Sequence, residues 1–185
     1  MNRYISDLHF GHGNIIAFDN RPFKSANEMD LTLIENWNDT VSRKDTVFIL
    51  GDFCWLKEPE WINILGQLKG DKVLIRGNHD LKNMSAKLKG MFLDIKDYKE
   101  VDDKGRKVVL CHYPIPCFKN HFYGWYHLYG HVHNSFEAHM MEHDKFLMQE
   151  LYGKQCEMFN VGCMMPYMNY TPRTLDEIIQ GANGQ

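Results

Sequence analysis

Short apolar runs alternate with amphipathic segments through the first half of the chain. Three of the runs have the length and the continuous apolar character of buried strands: residues 2–6, 46–50 and 72–75. Ser25 to Glu28 has the form of a capping box, and apolar side chains then recur every fourth residue, which predicts a helix over residues 26–41. A second helix is expected to open at Glu58-Pro59, because proline is favoured in a first helical turn.

The second half of the chain has a less regular pattern. A helix capped by Asp80 is predicted over residues 80–89. Strands at 92–101 and 106–111 flank a turn-like stretch at 102–105, so this half is expected to be more antiparallel. The remaining predictions are a loop at 113–124, strands at 126–129 and 156–161, and a terminal helix that opens with a capping box at Thr174.

Five polar blocks punctuate this pattern. They are Asp7-Leu8-His9, Gly51-Asp52, Gly77-Asn78-His79-Asp80, His112 and Gly130-His131-Val132-His133. Each of the first four follows a run that predicts a buried strand. Ligands of open α/β sheets gather beyond the carboxyl ends of the strands, so these side chains are expected along one rim of a sheet. Carboxylate and imidazole together suit Mn²⁺, Fe, Zn²⁺, Co²⁺ or Ni²⁺ better than Mg²⁺.

Length and composition favour one soluble domain. The chain has 185 residues, of which 44% are hydrophobic, and we expect a single domain over residues 1–180 with a frayed polar tail at 181–185. A net charge of -3 argues against a broad surface for nucleic acid, and no apolar run approaches the length of a membrane span. Five scattered cysteines without C-x-x-C spacing, and no signal-like N-terminus, indicate a reduced, cytoplasmic protein.

The order and spacing of the blocks resemble those of the calcineurin-like metallophosphoesterase superfamily. Its signature runs D-x-H, G-D, G-N-H-[DE], H and G-H-x-H, and every position is filled between Asp7 and His133. The resemblance implies an α/β fold, a four-layer α/β/β/α sandwich of two mixed β-sheets flanked by helices. The predicted element order is compatible with that fold but does not single it out.

The resemblance also implies a site with two divalent transition-metal ions, for which Mn²⁺ is the favoured occupant. One ion would be held by Asp7, His9 and His133, the other by Asn78, His112 and His131, with Asp52 shared between them. Alternate residues of an extended segment point the same way, so Asp7 and His9 are expected to reach one ion. Such a pair of ions can activate a bridging water for in-line attack on phosphorus.

His79 is the candidate general acid that protonates the departing oxygen, and Asp80 is expected to orient its imidazole. Arg21 and Arg76 could each grip a phosphate or, alternatively, pair with a carboxylate. His12 could contact substrate or brace its loop. An aromatic-rich loop precedes His131, and its residues Tyr113, Tyr123 and Trp125 could wall a pocket for a nucleobase or an aryl group. The other histidines, such as His127, are expected to have ordinary packing or surface roles.

The expected activity is therefore hydrolysis of phosphomonoesters or phosphodiesters, and the candidate substrates are phosphate esters, nucleotide-like ones included. One alternative is a nuclease acting on DNA or RNA, which the acidic balance of the chain and the lack of a second domain disfavour. Another is a non-catalytic protein-binding scaffold of the same fold, which the presence of His79 disfavours. The oligomeric state stays open at this level.

Overall fold

The computed structural model describes residues 1–184 as two four-stranded sheets with helices. The first sheet contains β1 (Asn2–Ile5), β2 (Thr46–Ile49), β3 (Asp71–Ile75) and β4 (Asp94–Lys96). The second contains β5 (Tyr98–Asp103), β6 (Arg106–Cys111), β7 (Tyr126–Tyr129) and β8 (Met158–Asn160). The α-helices are α1 (Gly13–Phe18), α2 (Ala26–Thr40), α3 (Glu58–Gln67), α4 (Ala86–Lys89), α5 (Phe136–Tyr152) and α6 (Leu175–Asn183).

The first sheet is parallel throughout its four strands, in the order β1-β2-β3-β4. Parallel neighbours need crossover connections, which the helices between the strands provide. Ser25 caps α2 as predicted, and its side chain accepts a hydrogen bond from the Glu28 amide. The Glu28 carboxylate accepts from the Lys24 amide, so the reciprocal half of the predicted capping box is shifted by one residue. Met29, Leu33 and Trp37 of that helix are buried, as their four-residue spacing predicts.

The second sheet has the order β5-β6-β7-β8, and only its first pair is antiparallel. The second half is therefore more antiparallel than the first, as expected, but only through this one hairpin of the described strands. Two parallel pairs follow the hairpin, and α5 is the crossover between β7 and β8. The sequence pattern did not predict α5, because all of its residues stay at least partly exposed and its apolar side chains form no single buried stripe.

The predicted strand over residues 92–101 is divided between the two sheets. β4 pairs with β3 in the first sheet, whereas β5 begins at Tyr98 and pairs with β6 in the second. The chain thus crosses between the sheets at Asp97. A continuous polar and apolar alternation cannot reveal such a change of partner, because both strands are extended.

The two sheets share one core. Val108 and Leu110 of β6 join the large apolar cluster that also contains Ile5, Ile49 and Leu74 of the first sheet. Val109, between them, faces a smaller cluster on the other side of the second sheet, as the two-residue period of a strand requires. The expected α/β/β/α sandwich is confirmed, although its first sheet is parallel rather than mixed.

Two predictions about helix ends were inaccurate. α4 begins only after Ser85, whose side chain caps it, so no helix starts at Asp80. α6 opens at the predicted capping box of Thr174 and Glu177 but continues to Asn183, so residues 181–183 belong to the fold. Gln185, the last residue of the predicted tail, lies outside the described residues. Among the helices of residues 1–184, none is long and apolar enough to cross a membrane.

Candidate active site

Both sheets direct the ends of their strands toward one rim of the sandwich. Asp7, Asp52 and Asn78 follow β1, β2 and β3, which are neighbours in the first sheet. His112 follows β6, and the His131-Val132-His133 block follows β7, which is its neighbour in the second sheet. The five sequence blocks therefore meet at the carboxyl ends of parallel strands, where such folds place their ligands.

Four of these residues form a compact buried group. Asp7, His9, Asp52 and His133 each offer one possible ligand atom, and these atoms lie within 4.8 Å of one another. His9 Nε2 is 3.6 Å from Asp52 Oδ2, and His133 Nε2 is 3.7 Å from Asp7 Oδ1. This mixture of carboxylate and imidazole is the donor set that suits a divalent transition metal.

The second group adjoins the other carboxylate oxygen of Asp52. His112 Nε2 lies 3.7 Å from Asp52 Oδ1 and 3.0 Å from Asn78 Oδ1. The ring of His131 packs edge-on against that of His112, with 5.1 Å between the ring centroids. Asp52 thus has one oxygen directed toward each group, as a shared ligand would.

The outer nitrogens of two imidazoles fix their tautomers. His112 Nδ1–H donates to the Leu50 carbonyl at 2.7 Å, and His133 Nδ1–H donates to the Asp19 carboxylate at 2.9 Å. In the neutral form of each ring Nε2 is then the unprotonated nitrogen, and it faces the site. Such outer partners orient metal-binding histidines and raise their basicity.

His9 supplies the clearest sign of an absent partner. Its Nε2 is a buried polar atom without a hydrogen-bond partner among residues 1–184. Buried polar atoms are almost always satisfied, so each exception calls for an explanation. Burial, with the neighbouring His133 and Arg21, lowers the pKa of His9 to about 2, so the ring is neutral and able to coordinate a metal.

His133 and His131 differ in their electrostatics. Burial opposes protonation of His133, but the hydrogen bond from its ring to Asp19 and the nearby charge of Asp7 together raise its pKa. Protonation would add a hydrogen to Nε2, which lies 3.7 Å from Asp7 Oδ1, and the same negative charge would favour a metal ion on that nitrogen. Burial and the adjacent His112 lower the pKa of His131, which favours its neutral, ligating form.

The backbone of the site is strained. Five proposed ligand residues have left-handed φ values: Asp7 (55°), His9 (53°), Asp52 (51°), His131 (69°) and His133 (49°). Non-glycine residues in this region cost on the order of 1–3 kcal/mol each and cluster at functional sites. We expected Asp7 and His9 to lie on the same face of an extended segment, but the left-handed backbone at both residues shows that the segment is not extended. They converge because the chain turns sharply at both residues.

Glycines in the sequence blocks permit close approach between the loops. A Cβ on Gly77 would collide with the carboxylate and backbone amide of Asp52. A Cβ on Gly130 would collide with the Ser6 hydroxyl and the Asp7 carboxylate. Glycine is thus required before Asn78 and before His131, because a larger residue would clash with the Asp52 or the Asp7 carboxylate.

Asp80 does not orient the His79 imidazole, contrary to expectation. Its carboxylate accepts hydrogen bonds from the amides of Phe53 and Gly77, at 2.9 and 2.8 Å, and none from the His79 ring in the part of the chain that the structure describes. Burial raises the pKa of Asp80 to about 6. Asp80 joins the loop that carries Asp52 to the loop that carries Asn78.

His79 lies on the wall of an open cleft with a volume of about 440 Å³ above both ligand groups. Its amide donates to Asp52 Oδ1 at 2.9 Å, which fixes the backbone, while its exposed ring lies 4.7 Å from that of Trp55 between centroids. The imidazole is therefore beside the ligands without being one of them, where a proton donor to a bound ester would have to be.

Arg21 and Arg76 both pair with carboxylates. Such pairing was the alternative to phosphate binding in the sequence analysis. Arg21 is only 4% exposed; it pairs with Asp19 at 2.8 Å and donates to the carbonyls of Asp7 and Leu8. Arg76 forms a bidentate pair with the exposed Asp97, at 2.8 and 2.9 Å. Arg21 supports the first ligand loop, and it is held too deeply to reach a substrate.

Asp19 was not identified as a site residue by sequence analysis, yet its carboxylate accepts hydrogen bonds from both Arg21 and His133. It connects the loop after α1 to the block after β7, which are 114 residues apart in the chain. No local pattern marks such a residue, since an aspartate at the end of a short helix is common. Its role arises only from the tertiary contact.

The aromatic loop contributes less to the site than expected. Tyr113 packs edge-on against His131, at 4.6 Å between centroids, and lines an adjoining cleft with Asn78. Tyr123, at 82% exposure, projects into solvent away from the main cleft. Trp125 packs against the smaller apolar cluster and beneath Lys119. Neither Tyr123 nor Trp125 lines the cleft that holds His79.

Two other aromatic side chains line that cleft instead, namely Phe18 and Trp55. His12, a predicted contact residue, also lines it and stacks on Trp55 with 4.0 Å between centroids. The position of Trp55, three residues after Asp52, was the one available signal for its role. Phe18 ends α1 and had no such signal.

The chain matches the family model described as the calcineurin-like phosphoesterase superfamily domain over residues 3–175. The match includes every block of the site. This chain belongs to that superfamily. The family is one of phosphoesterases, and this chain has a buried group of Asp and His side chains that could hold a metal ion.

The chain is also similar to individual proteins. An uncharacterised protein of Methanocaldococcus jannaschii is 34% identical over 178 residues, which cover 95% of this chain and 88% of that protein. The gene 66 protein of Mycobacterium phage L5 is 39% identical over 80 residues, covering 42% of this chain and 38% of that protein. A crystal structure of a protein of unknown function from Aquifex aeolicus is 28% identical and superposes with a TM-score of 0.71, covering 97% of this chain and 98% of that one.

Proposed function

We propose that this calcineurin-like phosphoesterase hydrolyses phosphomonoesters or phosphodiesters with two divalent transition-metal ions, and that His79 is its general acid. The observation that carries the proposal is the unpaired, buried Nε2 of His9 within a group of two carboxylates and two imidazoles. A purely structural cluster would have satisfied that nitrogen, since an unmade buried hydrogen bond costs about 1–3 kcal/mol.

The ligand assignment follows the two groups of the site. Asp7, His9 and His133 would hold one ion, and Asn78, His112 and His131 the other. Asp52 would serve both, because its two oxygens are directed toward different groups. The two carboxylates of this set leave two divalent ions with a net positive charge, which favours an anionic ester. Imidazole-rich shells favour Mn²⁺, Fe, Zn²⁺, Co²⁺ or Ni²⁺, and Mn²⁺ is our first choice.

When bound, the metal ions would neutralise phosphate oxygens and acidify a water molecule. The residues of this chain perform the remaining tasks. Asp19 and Leu50 hold the rings of His133 and His112 in the required orientation. The exposed His79 ring, on the wall of the cleft, can donate a proton to the oxygen of the leaving group. Asp80 keeps the loop of His79 against that of Asp52.

Variants of Asp52 and His79 test the proposal. With Mn²⁺ added, wild-type protein should hydrolyse p-nitrophenyl phosphate and β-glycerophosphate, and a chelator should abolish both activities. Loss of a residue that only supports a metal ligand typically lowers activity by about 10–100-fold. Asp52 is proposed as a direct ligand, so Asp52→Asn should lower activity by at least about 100-fold. His79→Ala should lower kcat by about 10²–10⁴-fold for β-glycerophosphate. The loss should be smaller for p-nitrophenyl phosphate, whose leaving group needs less protonation.

His143→Ala is the matched control, because His143 is exposed on α5 and contributes nothing to the site. It should keep wild-type rates with both esters. Wild-type activity in both Asp52→Asn and His79→Ala would overturn the proposed function. An equal loss for both leaving groups in His79→Ala would leave the metal site in place and exclude the general-acid role.

A further inference from the structure

Two large aromatic side chains stand exposed in the cleft of the active site. Trp55 is 48% exposed and Phe18 is 69% exposed, although large apolar side chains are usually buried. They belong to separate parts of the chain, the loop after β2 and the end of α1, and they line the same cleft. Exposed apolar surface gathered in a cleft marks a place where a ligand binds.

Trp55 is held rigidly. Its amide donates to the Phe10 carbonyl at 2.9 Å, and His12 stacks on its ring with an interplanar angle of 7°. A fixed aromatic ring loses little conformational entropy when a second ring packs against it. Phe18 stands edge-on to the proposed ligand His133, at 5.7 Å between centroids, and Ile15 of the same helix also lines the cleft.

The position of His79 specifies which part of a substrate these rings would contact. In ester hydrolysis the oxygen of a water molecule bonds to phosphorus, the bond from phosphorus to the leaving oxygen breaks, and a proton must reach that oxygen. If His79 donates this proton, the leaving group extends from the ligand groups along the His79 side of the cleft. The ring of Trp55 lies there, 4.7 Å from that of His79.

We infer that the site prefers phosphate esters whose leaving group carries a flat aromatic ring, and that Trp55 and Phe18 determine this specificity. The inference rests on the proposed function, because it places the leaving group by means of His79. A cleft of about 440 Å³ lies in the range of small-molecule sites and can admit a nucleoside or an aryl group. The shared chemistry is a planar π-system that stacks on an indole.

Binding of non-hydrolysable phosphonates tests the inference without turnover. In calorimetry with Mn²⁺-loaded protein, phenylphosphonate should bind at least about tenfold more tightly than methylphosphonate, since stacking on an aromatic side chain is worth roughly 1–3 kcal/mol. Trp55→Leu should remove this preference, whereas Trp55→Phe should retain most of it. Phe18→Leu should reduce it, and Phe146→Leu, at an exposed phenylalanine of α5, should leave it intact.

Steady-state kinetics distinguish the two sources of an aromatic ring. Trp55→Leu should raise KM for adenosine 5′-monophosphate, for p-nitrophenyl phosphate or for both by about tenfold, with KM for β-glycerophosphate unchanged. A nucleotide-only effect assigns the cleft to a nucleobase, and an effect restricted to p-nitrophenyl phosphate assigns it to an aryl group. Both results support the inference.

The failures of the two proposals can be told apart. Equal affinity of wild-type protein for phenylphosphonate and methylphosphonate, together with metal-dependent hydrolysis of all the esters, would overturn the aromatic specificity alone. Selective phenylphosphonate binding that depends on Trp55, without hydrolysis of any ester, would overturn the proposed function and keep the aromatic binding site.

Discussion

Gly130 illustrates how single residues permit the ligand groups to approach one another. It follows β7 and precedes His131, and a Cβ at this position would collide with the Ser6 hydroxyl and the Asp7 carboxylate. The amide of His131 then donates to both oxygens of Asp7, at 3.2 Å. A side chain on Gly130 would separate the second sheet from the first at the point where the ligand groups meet.

Gly130→Ala should therefore destabilise the protein. Its added Cβ has buried atoms as neighbours, and overpacking a buried position typically costs about 1–3 kcal/mol. Gly66→Ala provides the matched comparison, since Gly66 is exposed within α3 and a Cβ there meets no atom within 4 Å. Replacing a helical glycine by alanine should stabilise by about 0.5–1 kcal/mol.

The free energy of unfolding in urea, measured for wild-type protein and both variants without metal, checks this pair of predictions. The two substitutions add the same methyl group, so opposite signs would show that the local environment decides the effect. Similar changes in both variants would contradict the argument that Gly130 is required by close approach.

At this scale the sequence predicts the residues within the blocks and misses those that act on them from outside. Asn78, His112 and the His131-Val132-His133 block are recognisable because their types and spacing recur together in a family. Asp19 and Trp55 are single residues of common types, and their roles depend on contacts made after folding. Arg21 was a candidate for binding phosphate because the sequence does not show that its side chain is buried beneath Asp7.

Among the elements, the loop over residues 113–124 shows how an irregular segment is fixed. His127 of β7 is buried beneath it and bonds on both sides. Its Nε2 accepts from the Ile115 amide at 3.1 Å, and its Nδ1–H donates to the Val109 carbonyl at 3.1 Å. Only the neutral imidazole can make both bonds. Burial lowers the pKa of His127 to about 4.

His127 should make the stability of the metal-free protein fall as the pH is lowered. In the unfolded chain the imidazole binds a proton near its ordinary pKa of about 6.5, whereas in the folded protein it stays neutral down to about 4. The contribution is complete above pH 6.5 and is lost as the pH falls from 6.5 to 4. Its upper limit is about 3 kcal/mol, at 1.36 kcal/mol for each unit.

Urea unfolding between pH 4.5 and 7.5, with chelator present, measures this dependence. The difference in unfolding free energy between wild type and His127→Gln should become smaller toward low pH, because only the wild type has an imidazole to protonate there. His143→Gln makes the same replacement at an exposed position of α5 and is the matched control. A constant difference for His127→Gln would contradict the buried, neutral imidazole.

Four elements of the first half, β1, α2, β2 and β3, could be predicted within about a residue, because their apolar periods face one continuous core. The short helix α1 was not predicted, and α4 begins well after the predicted start at Asp80. The predicted bounds 26–41 correspond to Ala26–Thr40 of α2, and 46–50 to Thr46–Ile49 of β2. α5 could not be predicted in this way, since none of its residues is buried and its apolar side chains form no continuous buried stripe. The division of residues 92–101 between β4 and β5 depends on pairing partners, which local sequence does not specify.

In the whole molecule, the proposed metal centre joins the two sheets. The first sheet provides Asp7, Asp52 and Asn78, and the second provides His112 and the block that contains His133. Without metal, the two sheets are joined at this point by their packing and by hydrogen bonds such as that from the His131 amide to the Asp7 carboxylate. Metal binding should therefore stabilise the association of the two halves, and not only the local loops.

Addition of Mn²⁺ should raise the free energy of unfolding by about 2.7 kcal/mol when free metal is 100 times its dissociation constant. For a domain of this size the corresponding rise in Tm is about 5–10 °C. Thermal unfolding of chelator-treated protein, with and without Mn²⁺, measures the shift.

Two variants show whether the stabilisation passes through the shared ligand. Asp52→Asn should lose most of the rise in Tm, because one neutral amide oxygen would replace a carboxylate directed toward both ligand groups. His143→Ala should keep it, since His143 lies on the surface helix α5. Mg²⁺ at the same concentration should stabilise less than Mn²⁺, because imidazole ligands suit it poorly. If Asp52→Asn kept the full rise in Tm, the bound metal would lie elsewhere, and the assignment of Asp52 as the link between the sheets would be wrong.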